Sequence, residues 1–234
     1  MNDILIITFI AALIIAIIVL AGLLMCKCNE SEYMIDEMTG QPILIKHATR
    51  KISNNGDSFK VQTEHHSPDR AANILSQLNA KAQVIINHLR QKFIVNREGT
   101  KNQQQAIKYL IKNYNPNSIV ENSPLSGKGD TSYSVNKGKV LAICLREKTA
   151  NQHDIHQFEP MHDLLFVFFH ELSHLAMKEW GHPPKFWSVF KFILHEIELS
   201  GHYKSVDYSK HPMTYCGMRV GYNPLFDKNL KMLK

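Results

Sequence analysis

The chain carries at residues 164–174 the stretch LLFVFFHELSH, in which six apolar residues precede two histidines and a glutamate. A run that is apolar on nearly all sides predicts a helix buried in a core. This helix is predicted from about residue 160 to residue 180, because Pro160 suits a first helical turn and Gly181 suits the residue just past the end. The stretch therefore predicts a core helix that ends in polar side chains.

The polar end of this helix has the pattern His-Glu-x-x-His. Positions i and i+4 of a helix lie on one face, so His170 and His174 can bind one metal ion together. Glu171 then projects beside the metal, where a general base for an activated water has to stand. Polar groups buried in such a helix are costly unless they are paired or metal-bound, which favours a metal site over satisfied core or surface histidines. The pattern predicts a hydrolase with Zn²⁺ as cofactor, and a peptidase as the favoured class.

A third metal ligand is predicted at His182. It directly follows Gly181, and a glycine at that point ends the helix and turns the chain back. The next predicted helix offers alternatives. Glu196 and Glu198 lie at a distance typical of zincins that use two histidines and a glutamate, and His195 shares their helix.

A β-hairpin is predicted shortly before the metal-binding helix. Residues 132–135 and 139–146 have strand character and flank a turn at residues 136–138 that contains glycine. An open edge of the strand at residues 140–146 would pair with an extended peptide through main-chain hydrogen bonds. A purely structural strand is an equally good interpretation of the same pattern.

The rest of the domain is predicted to be mainly scaffold. One helix is predicted to start near Ser67, and a second covers about residues 103–112. The C-terminal segment contains several tyrosines, and a tyrosine near the metal could donate a hydrogen bond to a tetrahedral oxyanion. Tyr215 is the candidate for this catalytic role, although most tyrosines in such a segment only pack.

The N-terminus is predicted to cross a membrane. Residues 4–25 are apolar except for Thr8, and a helix of that length spans a bilayer core of roughly 30 Å. No basic region or small-residue cleavage site marks this run as a cleaved signal peptide. The predicted organisation is a transmembrane anchor at residues 1–28, a polar tether at residues 29–66 and one domain at residues 67–234.

Charge and cysteine content bear on the compartment and the partners. Lys27 follows the predicted span and Asp3 precedes it, which predicts a single-pass membrane protein with its domain in the cytosol. The 4 cysteines show no framework of regularly spaced pairs, which disfavours a disulfide-dependent secreted domain. The net charge of +6 comes from scattered lysines, so nucleic-acid binding has little support. The predicted partners are a protein or peptide substrate and a membrane.

Three pieces of residues 140–186 carry a recognisable family pattern. They are the pair Leu145-Arg146 at a strand end, FHELSHL at residues 169–175 and GHPPKF at residues 181–186. In these pieces the chain resembles the Wss1-like (WLM) and SprT-like zinc metallopeptidases. The resemblance implies three zinc ligands and a catalytic base, namely His170, His174, His182 and Glu171. The spacing from the second to the third histidine is longer than in WLM proteins and shorter than in most SprT proteins.

The predicted fold class is α+β, a zincin-like metallopeptidase domain of helices plus a small sheet behind one N-terminal transmembrane helix. The predicted function is a membrane-anchored zinc metallopeptidase with Glu171 as general base. Two alternatives stay open at this point. One is a catalytically silent, zinc-stabilised membrane interaction protein, and the other is a DNA-associated protease of the Wss1/SprT kind.

Overall fold

A computed structural model describes residue 13, the backbone of residues 32–35, 42–45 and 49–50, and residues 51–122, 131–147 and 157–234. Its strands are β1 (Glu32–Ile35), β2 (Pro42–Ile45), β3 (Thr49–Ile52), β4 (Ser58–Val61), β5 (Ile119–Glu121), β6 (Tyr133–Val135), β7 (Val140–Ile143), β8 (Met213–Tyr215) and β9 (Met218–Val220). Its longer helices are α1 (Pro68–Arg90), α2 (Lys101–Asn113), α3 (Met161–Leu175) and α4 (Pro184–Leu199). Short helical turns lie at Gln91–Val95, Pro116–Ser118 and Pro224–Phe226.

Five of these strands form one mixed sheet in the order β3-β4-β5-β7-β6. The central pairs β4–β5 and β5–β7 are parallel, whereas the outer pairs β3–β4 and β6–β7 are antiparallel. The parallel pairs require long crossovers, and α1 with α2 supplies the one between β4 and β5. The other described strands form two separate two-stranded ladders, β1–β2 and β8–β9.

The main core lies between this sheet and the helices. Helix α1 packs against β3, β4 and β5, and α3 packs against α1, α2, α4 and β6. Side chains alternate across β7, so Leu141 and Ile143 join the main core while Val140 and Ala142 join a smaller apolar cluster on the opposite face. Both faces of β7 are therefore covered, and the strand is buried along its whole length.

Local sequence signals place the helices. Helix α2 begins with a capping box in which the side chains of Thr100 and Gln103 each bond the other residue's backbone N–H. Helix α1 has proline in its first turn, as the pattern at Ser67 predicts. The predicted hairpin is present as β6 and β7, joined by a turn in which Gly138 has φ of +94°. A Cβ at this glycine would come within 2.5 Å of the Asn113 carbonyl oxygen, so the close approach requires glycine.

The structure differs from the predicted tether at residues 29–66. This segment contains β3 and β4, which are two of the five strands of the main sheet. Phe59 and Val61 of β4 are buried in the main core. The polar composition of the segment hides these strands, because only alternate residues of a strand with one covered face need to be apolar.

The predicted transmembrane helix has no counterpart in the described structure, and the single-pass membrane protein with a cytosolic domain predicted from it is not supported. Within the described ranges, no helix is both long enough and apolar enough to cross a membrane. Helix α1 has 23 residues but is polar on one face, and the more apolar α3 and α4 have 15 and 16 residues, where a span needs about 20. The predicted span at residues 4–25 itself lies outside the described residues, apart from Leu13.

Candidate metal centre

Helix α3 brings His170 and His174 side by side, as their spacing predicts. The helix ends at Leu175, before the predicted end near residue 180, so Gly181 is not the residue that ends it. The chain then turns at Gly181, whose φ of +67° is in the left-handed region that favours glycine. This turn returns His182 to the helix. The Nε2 atoms of His170 and His174 lie 3.2 Å apart, and the Nε2 of His182 lies 2.8 Å from the first and 3.2 Å from the second. Three imidazole nitrogens from two elements thus converge on one point.

The arrangement fits a tetrahedral zinc ion. Nitrogens that each lie about 2.0–2.1 Å from a tetrahedral zinc are about 3.3–3.4 Å from one another. This is close to the 3.2 Å that separates the Nε2 of His174 from each of the other two, and longer than the 2.8 Å between the Nε2 atoms of His170 and His182. Burial lowers the pKa of His170 to about 3 and that of His174 to about 2, with the neighbouring imidazoles adding to both effects. The rings are therefore neutral near pH 7, which is the form in which an imidazole binds a metal ion.

Aromatic side chains of α4 hold the three imidazoles in place. The Phe186 ring stacks on His174 at a centroid distance of 4.3 Å and meets the other two histidine rings at their edges. The Trp187 ring stacks on His182 at 5.7 Å. These contacts restrict the ring orientations, so the histidine cluster is organised by packing as well as by the backbone.

Glu171 lies beside the histidines in an apolar environment. Its side chain is buried, and its Oε2 atom has no hydrogen-bond partner among the described residues. Burial raises the pKa of Glu171 to about 8, an effect that a hydrogen bond with Ser134 of β6 partly offsets. A buried carboxyl oxygen without a partner is costly. The Oε2 atom of Glu171 is thus available to exchange a proton with a bound molecule.

The structure places Tyr215 in the wall of the same cavity as His170 and Glu171. Its hydroxyl donates to the Cys144 carbonyl oxygen at 2.7 Å and lies 2.7 Å from the Ser132 hydroxyl oxygen. The Ser132 oxygen accepts from the Cys144 N–H at 3.0 Å. Burial raises the pKa of this phenol well above its usual value. Donation to an oxyanion, as predicted, would require the phenol to leave the Cys144 carbonyl.

The alternative third ligands lie outside the histidine cluster. The Glu196 Oε2 atom is 2.6 Å from the Lys92 ammonium nitrogen, with which it forms an ion pair. Neither Glu198 nor His195 joins the group of residues whose ligand atoms converge within the described chain. The structure therefore brings together the three histidines that the sequence favours.

The predicted substrate strand is not at the edge of the sheet. Strand β7 pairs with β5 on one side and with β6 on the other, so it has no open edge. Strand β6 has a partner on one side only among the described strands, and it contains Ser134, the hydrogen-bond partner of Glu171. The hairpin pattern predicts both strands but not which of them becomes internal, because that depends on the distant strand β5.

Two features of the site are absent from the sequence predictions. Lys137, in the β6–β7 turn, donates to the carbonyl oxygens of His174 at 3.4 Å and Glu179 at 2.5 Å, and its ammonium lies 4.5 Å from the centre of the Trp180 ring. It thereby ties the end of α3 to the loop that carries the third histidine. Nothing in the local sequence distinguishes this lysine from a solvated one.

The second feature is a disulfide between Cys144 and Cys216, which are 72 residues apart. Cys144 directly follows β7, and Cys216 lies in the turn between β8 and β9. The backbone N–H of Cys216 also donates to the Glu159 carboxylate at 2.6 Å. The disulfide and these hydrogen bonds fix the β8–β9 hairpin beside the histidine cluster.

Comparison with known proteins places the chain in a viral family. No established protein-family model matches it. It is 30% identical over 216 residues to the uncharacterized protein R325 of Acanthamoeba polyphaga mimivirus, and the match covers 89% of this chain and 92% of that protein. The chain belongs to the R325 family.

A second viral relative is more distant. The uncharacterized protein 136R of Invertebrate iridescent virus 6 is 24% identical over 160 residues, which cover 68% of this chain and 83% of that protein. The R325 family thus brings no stated function with it. Among solved structures, that of Wss1 from Saccharomyces cerevisiae is similar over 60% of this chain and 89% of that chain, with a TM-score of 0.40 and 19% identity.

Proposed function

We propose that the protein is a zinc-dependent peptidase with a zincin-like site. The observation that carries the proposal is the convergence of the Nε2 atoms of His170, His174 and His182 beside the unpaired carboxyl oxygen of Glu171. This donor set of three neutral imidazoles suits zinc and leaves a fourth position for water or substrate. The three histidines would hold the ion, which when bound lowers the pKa of a water and polarises a carbonyl oxygen.

In this proposal Glu171 is the general base. Its Oε2 atom accepts a proton from the attacking water and then passes that proton to the leaving amine of the cleaved peptide. The raised pKa gives the carboxyl group a proton affinity suited to proton exchange near neutral pH. Ser134 holds the carboxyl group in position from the adjacent strand.

The substrate in this proposal is an extended peptide that pairs with β6. Among the described strands this one has a free side, and an edge strand binds an extended chain through main-chain hydrogen bonds. The partner of Glu171, Ser134, lies at the middle of β6, so a peptide bound there has its backbone close to the base.

The proposal is tested with the purified full chain. We expect about one zinc per chain by elemental analysis and cleavage of an unfolded protein such as casein. Glu171→Gln should retain the zinc and lower the cleavage rate at least about 100-fold, because it removes the base and keeps the shape of the side chain. His88→Ala, which changes an exposed histidine of α1, is the control and should alter neither property. A chain without zinc, or an active Glu171→Gln variant, would contradict the proposal.

A further inference from the structure

A cavity of about 260 Å³ opens beside His170 and Glu171. Its walls are α3, α4, the β8–β9 hairpin with the residues that follow it, and residues 131–132. Its apolar lining includes Phe166, Val167, Trp187, Phe190 and Val220. The cavity therefore begins at the proposed reaction centre and extends into an apolar part of the molecule.

The inner wall of the cavity offers few polar groups. Phe166 and Phe190 are buried, and their ring centres are 5.4 Å apart. The hydroxyls of Ser132 and Tyr215 lie in the wall, but each is engaged with the other and with the backbone of Cys144. Arg219 also lines the cavity, from an exposed position on β9. A charged side chain that entered would lose its hydration against the aromatic rings.

The size of the cavity indicates what it can receive. Sites for drug-sized ligands have volumes of about 300–1,000 Å³, so this cavity is small for a separate ligand and suits one large side chain. Large apolar side chains also lie at the surface nearby: Met218 is 51% exposed and Tyr222 is 40% exposed, and both line the cavity. Exposed apolar groups at the rim of a cavity are typical of a binding surface.

We propose that this cavity selects the substrate by receiving a large apolar side chain, such as that of leucine, methionine or phenylalanine, from the residue next to the cleaved bond. This inference rests on the proposed peptidase function. Its physical basis is that an apolar side chain gains from leaving water in an apolar cavity, whereas a charged one loses hydration there. The continuity of the cavity with His170 and Glu171 places the selected residue beside the cleaved bond.

The first test maps cleavage sites. The zinc-loaded full chain is incubated with a mixture of peptides from digested proteins, and the new termini are identified by mass spectrometry. We expect large apolar residues at one position next to the cleaved bond, enriched at least about tenfold over charged residues. Val167→Asp should abolish this preference. Val84→Asp, which changes a half-exposed valine on α1 outside the cavity, should retain it.

A second variant guards against a failure to fold. Val167→Phe should fill part of the cavity and shift the preference toward alanine and glycine, with zinc content and thermal stability unchanged.

A readout that needs no cleavage is the affinity of the zinc-loaded chain for two hydroxamates, one with a methyl group and one with a phenylethyl group. We expect the phenylethyl compound to bind at least about tenfold more tightly, and Val167→Phe to reduce that ratio.

The possible outcomes distinguish failure of the cavity inference from failure of the proposed peptidase function. Zinc- and Glu171-dependent cleavage with no side-chain preference, or equal affinities for the two hydroxamates, would overturn the cavity inference and leave the peptidase function standing. Absence of zinc or of Glu171-dependent cleavage would overturn both. An apolar preference that Val167→Asp leaves unchanged would show that selection occurs elsewhere and would also overturn the inference.

Discussion

At position 171 a carboxyl group lies in an apolar environment because α3 is enclosed by the sheet, by α2 and by α4. Its neighbours on the helix, Phe169 and Leu172, are buried in the core, and so is Phe168. Desolvation is the largest contribution to its raised pKa, and the hydrogen bond with Ser134 opposes it. The proton affinity of the proposed base therefore depends on burial by several elements and on one hydroxyl group, that of Ser134.

Ser134→Ala tests the second of these at the residue scale. Removal of the hydroxyl leaves the Glu171 carboxyl with one positioning contact fewer, and we expect kcat to fall about tenfold. KM, zinc content and thermal stability should stay close to their original values, because Ser134 is proposed to act through Glu171 rather than on the peptide. Steady-state kinetics on one peptide substrate measures both constants. Ser134→Thr retains a hydroxyl and should recover part of kcat, and a loss of zinc or of stability in Ser134→Ala would argue against a positioning role.

At the scale of elements, the β8–β9 hairpin depends on contacts with residues far away in the chain. With 3 residues in each strand, such a ladder is marginal by itself. The contacts that attach it include the disulfide to Cys144, the hydrogen bonds of the Tyr215 hydroxyl with Ser132 and the Cys144 carbonyl oxygen, and that of the Cys216 N–H with Glu159. This wall of the cavity is therefore stabilised by contacts with Ser132 and with residues that follow β7, and not by its own short strands.

The double change Cys144→Ala and Cys216→Ala tests this attachment. Loss of a cross-link between residues 72 apart should lower the free energy of unfolding by about 2–4 kcal/mol, because the unfolded chain gains conformational freedom. Denaturant unfolding measures the change. A thiol reductant should lower the stability of the original chain by a similar amount and leave that of the double variant unchanged. Equal stability of the variant and the original chain would show that the hydrogen bonds alone hold the hairpin.

At the scale of the whole molecule, the histidine cluster joins two parts of the fold. His170 and His174 belong to α3, whereas His182 belongs to the loop before α4. Lys137 adds a link from the β6–β7 turn to the end of α3 and to the same loop. An ion bound by the cluster would bind the folded chain and not the unfolded one, so its binding energy would add to stability.

Removal of metal should therefore lower the melting temperature. With free zinc at about 100 times its Kd, binding contributes about 2.7 kcal/mol, which for a chain of this size corresponds to about 5–10 °C. Differential scanning fluorimetry with a chelator, followed by added zinc, measures the loss and its recovery. His182→Ala should greatly reduce the zinc-dependent difference, whereas His88→Ala should retain it. A melting temperature that a chelator leaves unchanged would speak against a bound metal.

The sequence by itself determined the local features of this protein. The spacing of His170, Glu171 and His174 on an apolar helix, the glycine turn before His182 and the β6–β7 hairpin all follow from patterns within a few turns or residues, and the structure has each of them. Such patterns are readable because helix and hairpin geometry relate neighbours in the chain.

Only the tertiary structure decided which distant parts meet. Among the described strands it made β6 an edge strand and brought β3 and β4 into the sheet. It paired Cys144 with Cys216 and placed the Tyr215 hydroxyl against the Cys144 carbonyl oxygen. It also left the transmembrane part of the predicted fold class without support, since no helix in the described part of the chain is long and apolar enough to cross a membrane. These features depend on contacts between residues tens of positions apart, and local periodicity contains no information about such pairings.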